Sequence, residues 1–169
     1  MFIVLILFFL TMLLGYVYPV FFKDFILKFI QELAEKTAGM DFLELYGYIL
    51  ANNIKTAFLG MIFGIIFGIL PVAFTLLNGY VLGFVSAMSV NLVGKSILLR
   101  LLPHGVFEFP ALVISFGLGI KLASYIFARN PRRQFFYDLK ESLRVFIFVI
   151  IPLLTIAAII EAWLIIALG

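Results

Sequence analysis

Long apolar runs are the feature of this sequence that most constrains its fold. Residues 1–22 contain no charged side chain, and a helix needs about 20 apolar residues to cross a hydrocarbon core roughly 30 Å thick. The chain is 65% hydrophobic and 12% charged, with a mean hydropathy of +1.24, which is more apolar than the composition of soluble domains. Because backbone polar groups in lipid must be satisfied within the protein, such runs fold as helices. The sequence therefore predicts an all-α, polytopic membrane helix bundle that spans the cell membrane several times.

About five spans are expected, with a broken or re-entrant segment before the fourth. The predicted spans are residues 1–22, 50–76, 80–93, 107–128 and 145–168. We interpret the first as a retained helix, because it has neither a basic n-region nor an A-x-A-like cleavage site. The chain then divides into a first transmembrane helix (1–22), an amphipathic interfacial helix with its connection (23–49) and a helical membrane core (50–169). Basic residues are equally divided between the two sides, and their density after the fourth span favours a cytoplasmic N-terminus.

The segment after the first span has the pattern of an amphipathic helix. Apolar residues such as Phe25, Ile26 and Phe29 recur at helical spacing opposite charged ones. Such a helix either lies on the membrane interface or docks a helix or domain of a partner. Farther along, Asp41 followed three residues later by Glu44 predicts a capped start of the next helix.

The second span combines costly polar residues with a ridge of glycines. Asn52 and Asn53 require partners on neighbouring helices, so we place them in a buried polar network. The glycines recur every fourth residue on one helix face and predict close packing against another helix, within one chain or in a homo-oligomer; they are Gly60, Gly64 and Gly68.

Two features are expected to shape the path of the chain after these glycines. Pro71 should bend the second span. Asn78, which we include in the polar set, and Gly79 form a turn signal that predicts a tight hairpin between the second and third spans.

The segment from Leu101 to Ala111, LLPHGVFEFPA, contains the single histidine of the chain. Prolines flank this histidine and interrupt helices, so Pro103, Gly105 and Pro110 predict a helix break, preceded by a re-entrant or interfacial piece near residues 97–99. His104 and Glu108 would share one helical face. Because titratable groups inside a membrane are costly unless paired, this pair is the first candidate for function.

A carboxylate in the last span is the third titratable candidate. Glu161 has no charged residue near it in the sequence and lies two residues before Trp163. It is either an exposed group at the edge of the last span or a member of the buried polar network.

The chain resembles the stage II sporulation protein M family. The resemblance covers most of the chain from about Leu50 and rests on the PHG-x-x-E-x-P core, the Asn52-Asn53 pair, the spaced glycines, Asn78-Gly79 and Ile160-Glu161-Ala162. It implies a multi-helix membrane protein. In spore-forming bacteria the family member anchors and recruits peptidoglycan-degrading partners during engulfment, and related proteins occur in organisms that do not sporulate. The resemblance thus implies a scaffold of the cell envelope, with a role in sporulation itself left open.

Three functions compete for the central motif. His104, Glu108, Asn52, Asn53 and Glu161 could form a structural polar network, or His104 and Glu108 could bind or relay an ion in a small-solute transporter or channel. A metal site or intramembrane hydrolase is disfavoured, because two ligands are too few and an H-E-x-x-H motif needs a second histidine.

We therefore predict no catalytic residue, no metal and no cofactor. The expected function is that of a membrane anchor or assembly platform, with a transporter as the alternative. Its expected partners are the lipid bilayer and membrane or envelope proteins. The formal charge of +3 is spread over helix flanks and gives no support for nucleic-acid binding.

Overall fold

The computed structural model describes residues 2–65, 69–94 and 98–168, and this part of the chain consists of helices and short connections. Its α-helices are α1 (Phe2–Val17), α2 (Lys23–Thr37), α3 (Phe42–Ile62), α4 (Ile69–Val93), α5 (Leu98–Ala123), α6 (Pro131–Val145) and α7 (Ile151–Leu168). Short 3₁₀ segments follow α3 and α5, at Phe63–Ile65 and Ser124–Phe127, and a π-helical segment, Phe146–Ile150, joins α6 to α7. The predicted all-α membrane bundle is confirmed.

Three helices in the described ranges are long and apolar enough to cross a membrane. They are Ile69–Leu92, Pro103–Phe127 and Pro131–Ala167. Helix α1 is apolar but has only 16 residues, or about 24 Å at 1.5 Å per residue. The count of five spans therefore stays a prediction.

The last of these helices is much longer than the predicted fifth span. It runs for 37 residues, which corresponds to about 55 Å, well beyond the hydrocarbon core. The arginine-rich connection predicted before this span is thus helical from Pro131 onward. Buried residues recur at every fourth position along it, which the wider π-helical turn accommodates; they include Asp138, Ser142, Phe146, Ile150, Leu154, Ala158 and Ala162.

The predicted capping of α3 is confirmed, and the helix begins eight residues before Leu50, where the predicted second span starts. The backbone N–H of Glu44 donates to Asp41 Oδ1 at 2.9 Å, and the N–H of Asp41 donates to Glu44 Oε2 at 3.1 Å. This capping box satisfies donors that would otherwise be orphaned and begins α3 at Phe42.

The predicted hairpin at Asn78-Gly79 is wrong, because α4 continues through both residues. The Asn78 side chain donates to the Phe74 carbonyl of its own helix at 2.8 Å. Pro71 lies in the first turn of α4, where a missing N–H costs little, and does not bend a longer span.

The predicted helix break at Pro103, Gly105 and Pro110 is also wrong, since all three lie inside α5. The interruption before this helix occurs instead after Val93, where Gly94 has a φ of +93°. Residues 95–97 lie outside the described part of the chain, and α5 begins at Leu98. A membrane helix tolerates proline because neighbouring groups satisfy the freed carbonyls and any unfolded alternative would expose more of them.

Helix α1 packs closely along α4. A methyl group on Gly79 would lie 2.6 Å from the carbonyl oxygen of Phe8, and one on Gly83 would lie 2.8 Å from the backbone nitrogen of Tyr16. The increasing residue numbers on both helices show that they run parallel. Gly79 is therefore a packing residue, since the two backbones could not approach so closely if it carried a side chain.

Helix α5 lies at the centre and contacts α1, α3, α4, α6 and α7. Its parallel contact with α3 is close. Gly60 packs on the ring of Phe116, and Gly64 packs on the backbone of Gly119. Two glycines of the predicted ridge thus face a neighbouring helix of the same chain, and the third, Gly68, lies outside the described residues.

Candidate functional site

Three titratable side chains meet where α5 packs against α7. His104 and Glu108 lie one turn apart on α5, and Glu161 projects from α7. One potential ligand atom from each residue lies within 4.8 Å of the other two. This cluster, His104–Glu108–Glu161, is called the HEE cluster below. Glu161 is 57 positions after His104 and 53 positions after Glu108 in the sequence, so the fold brings distant residues together.

Small residues let α7 approach closely enough to place Glu161 in the bundle. Ala157, Ala158 and Ala162 are fully buried. Ala158 and Ala162 pack against Leu45 of α3. Glu161 lies on this alanine-rich side, while its neighbour Trp163 is exposed. Of the two positions considered for Glu161, the structure favours the one facing the bundle.

The side chains of the HEE cluster have few hydrogen-bond or ion-pair partners among the other described residues. The Nδ1 atom of His104 is buried and has no hydrogen-bond partner. Among the hydrogen bonds and ion pairs between described residues, none involves Glu108 or Glu161. The lysine and arginine ion pairs that the described residues form lie elsewhere, at Asp138 and Glu141. A pair of carboxylates in such surroundings calls for a proton or a cation between them.

The three asparagines of the predicted polar set do not share one arrangement. Asn52 is exposed, whereas Asn53 has a buried Nδ2 without a partner. Asn53 lies one turn before Ala57, whose carbonyl contacts α5, so it is on the α5-facing side of α3. Asn78 bonds within α4. A network of Asn52 and Asn53 with His104, Glu108 and Glu161 stays a prediction.

A second polar cluster joins α5 to α6 and was not predicted from the sequence. Asp138 is 1% exposed, and Gln134 Nε2 donates to its Oδ2 at 2.8 Å. The Lys121 ammonium lies 3.3 Å from Oδ1 but without hydrogen-bond geometry, so we regard it as a counter-charge. Ser142 is buried one turn later. The four-residue spacing of Gln134, Asp138 and Ser142 is the signal that could have revealed this polar face.

Another buried polar contact fixes α5 against α3. Ser115 Oγ donates to the carbonyl of Ala57 at 2.6 Å, and both residues are fully buried. An isolated serine in an apolar run gives no indication of which neighbouring helix it contacts, so this bond was not predicted.

Comparison with known proteins finds one family model and two relatives of similar sequence. The family model for stage II sporulation protein M matches residues 4–164. The chain is also similar to two proteins of Methanocaldococcus jannaschii. It is 32% identical to uncharacterized protein MJ0793 over 123 residues, which are 69% of this chain and 68% of that protein. It is 30% identical to uncharacterized protein MJ0706 over 153 residues, which are 87% and 67% of the two chains. No solved structure matches the chain at a significant level.

Proposed function

Since the chain belongs to the stage II sporulation protein M family, we propose that it is a multi-pass anchor of the cell membrane that holds partner proteins at the envelope. Membership of this family supports a membrane protein in general. The observation that carries the anchoring role is the amphipathic helix α2, which is attached to the bundle along one edge and keeps an aromatic edge uncovered.

Helix α2 is attached to the bundle through few residues. Ile26 is 4% exposed and packs in one cluster with Tyr80 and Phe84 of α4. The connection before α2 is also held, because the Tyr80 hydroxyl donates to the Tyr18 carbonyl and accepts from the backbone N–H of Phe21, both at 2.9 Å. These contacts give α2 a defined place beside α4.

The other edge of the apolar side of α2, which contains Phe25 and Phe29, is covered much less by the rest of the chain. Phe25 is 72% exposed and Phe29 is 52% exposed, and they lie one turn apart. Lys28 and Glu35 lie on the polar side of the helix. An aromatic edge beside a charged one suits either the lipid interface or the helix of a partner. The anchoring proposal assigns it to a partner.

The interior of the bundle supports a fixed platform better than a path for a solute. A groove of about 550 Å³ lies between α1, α4 and α5. It opens to the outside of the bundle, since lining residues such as Leu13 and Val106 are exposed, and its walls are mainly apolar. Phe8, Phe109 and Met12 line it, and the three residues of the HEE cluster do not. The glycine contacts of α3 with α5 and of α1 with α4 bring the backbones close together, which disfavours sliding of these helices.

Capture of partners from native membranes tests this proposal. The full chain would be purified in mild detergent, and proteins that co-elute would be quantified by mass spectrometry. The test variant is Phe25→Ser/Phe29→Ser. The matched control is Lys28→Ser/Glu35→Ser, which changes the same number of residues on the polar side of α2 and leaves the net charge unchanged.

We expect a stoichiometric protein with the wild type and the control. The test variant should recover about tenfold less of this protein, because truncating two aromatic side chains that a partner would bury costs about 1.4 kcal/mol or more in total. Equal recovery from test and control variants, or a chain that elutes alone, would contradict the role of α2 as an anchor for partners.

A further inference from the structure

We propose that the HEE cluster is a binding site for one divalent transition-metal ion, with Zn²⁺ as the test ion, and that this ion joins α5 to α7. The inference is independent of the anchoring role. It rests on the ligand set, the charge of the site and the unpartnered state of its polar atoms.

The HEE cluster supplies the number and type of ligands that such an ion uses. Imidazole nitrogen and carboxylate oxygen both bind zinc, and sites with three protein ligands leave a fourth position for water. At bond lengths of about 2.0–2.2 Å, tetrahedral ligands lie roughly 3.3–3.6 Å apart. The ligand atoms of His104, Glu108 and Glu161 lie within 4.8 Å of one another. Binding of an ion would therefore bring them closer by up to about 1.5 Å, and the glutamate side chains have rotatable bonds for this movement.

The charge of the HEE cluster suits a divalent cation. Two ionised carboxylates and a neutral imidazole carry a charge of −2, and one divalent ion makes the site neutral. Net neutrality is important here, because an uncompensated charge inside an apolar bundle costs several kcal/mol. The two ion pairs that the described residues form, Lys121 with Asp138 and Arg144 with Glu141, do not include a residue of the HEE cluster.

The unpartnered nitrogen of His104 is the second, independent observation. Its Nδ1 atom is buried and makes no hydrogen bond. A neutral imidazole has one nitrogen that accepts and one that donates, and a metal ligand usually orients its second nitrogen toward another polar group or water. An ion bound to Nδ1, or a water held by an ion bound to the other nitrogen, would satisfy this atom. The sequence alone could not reveal the site, because Glu161 is 53 residues from Glu108 and supplies the third ligand.

The mixture of donors selects the class of ion. Carboxylates alone would suit Mg²⁺ or Ca²⁺, whereas imidazole favours zinc, iron, nickel and copper. The chain has no cysteine, so thiolate cannot contribute. A site with one nitrogen and two carboxylate ligands is thus expected to prefer Zn²⁺ over Mg²⁺.

Metal binding by the purified full-length chain tests the proposal. The protein in detergent would be stripped with a chelator and dialysed against a buffered Zn²⁺ series, and bound zinc would be measured by mass spectrometry. The test variant is Glu161→Gln, which keeps the side-chain size and removes the charge. The matched control is Glu141→Gln, which removes a carboxylate from the α6 surface.

We expect about one Zn²⁺ per wild-type chain, an affinity at least about tenfold weaker for Glu161→Gln, and unchanged binding for Glu141→Gln. Excess Mg²⁺ should not displace the zinc. Zinc uptake that is equal in the wild type and Glu161→Gln, or absent from both, would overturn the proposal and leave the two carboxylates to share a proton.

If Glu161→Gln does not fold, the metal site can still be tested by a spectroscopic measurement on the wild-type protein. X-ray absorption at the zinc edge should show only nitrogen and oxygen neighbours, with the scattering pattern of one imidazole. Since His104 is the single histidine, a zinc shell without imidazole scattering would refute the site directly. Partner capture does not read out bound zinc, so failure of either proposal can be distinguished from failure of the other.

Discussion

Replacement of Gly119 by alanine tests whether close packing at the centre of the bundle holds it together. Gly119 lies where α5 crosses α3 and the start of α4. A methyl group at this position would lie 2.5 Å from the Gly60 carbonyl oxygen, 2.8 Å from Pro71 Cγ and 3.1 Å from the Met61 carbonyl oxygen. Two of these atoms belong to helix backbone and the third to a rigid ring, so no flexible side chain can move aside.

The expected cost follows from these distances. Ordinary contact of a methyl carbon begins near 3.4 Å, so α5 must move from α3 by about 0.9 Å, which forfeits a substantial part of the dispersion energy between them. Overpacking of this kind costs about 1–3 kcal/mol, and the better helix propensity of alanine returns up to about 1 kcal/mol. Because the contacts are with backbone and a ring, we take the upper part of this range, about 2–3 kcal/mol. With about 1 kcal/mol returned by the helix propensity of alanine, Gly119→Ala should lower the free energy of unfolding by about 1–2 kcal/mol.

Gly47→Ala is the matched control for this measurement. Gly47 also lies in a helix, α3, but nothing lies within 4 Å of its added methyl group. Alanine there should raise stability by about 0.5–1 kcal/mol. Unfolding of both variants by SDS titration in mixed micelles, followed by circular dichroism, gives the two changes. Changes of the same sign would refute the claim that Gly119 is required for the α3–α5 contact.

Two further substitutions test individual hydrogen bonds. Tyr80→Phe removes the hydroxyl that bonds Tyr18 and Phe21, so we expect a loss of about 1–2 kcal/mol in the same titration and faster proteolysis between α1 and α2; unchanged cleavage would show that this connection is held by other contacts. Ser115→Ala removes the bond to Ala57 and should cost about 0.5–1.5 kcal/mol; a neutral result would show that packing alone fixes this crossing.

The fold class could be predicted from the sequence, because the apolar runs and the scarcity of charge leave few alternatives to membrane helices. The capping of α3 could also be predicted, since Asp41 and Glu44 interact within one turn and need no distant partner. Local signals of this kind are reliable when nothing farther away competes with them.

The predicted helix boundaries were wrong where tertiary packing or the membrane environment outweighed local sequence signals. Asn78-Gly79 has the sequence of a turn, but Gly79 is used for contact with α1. Pro103 and Pro110 have the sequence of a break, but α5 continues through them because a membrane interior favours continuous helix. In each case the deciding contact or environment involves residues remote in the sequence.

The candidate site was predicted in part. His104 and Glu108 could be paired by their spacing on one helix. The position of Glu161 beside them depends on how α7 packs, and its position on an alanine-rich side of the helix was the available signal. Asp138 was missed because it lies among arginines and lysines that suggested an exposed connection.

The central claim, that the exposed edge of α2 binds a partner protein, can be tested most directly by photo-crosslinking in native membranes. A photoreactive phenylalanine analogue would replace Phe29, and as a control Leu27, which lies on another side of α2, in otherwise unchanged full-length chains. After irradiation, mass spectrometry would distinguish adducts with protein from adducts with lipid. The proposal predicts a protein adduct of defined mass at position 29 that is absent at position 27. Adducts with lipid alone at position 29 would contradict it and place this edge of α2 in the membrane interface.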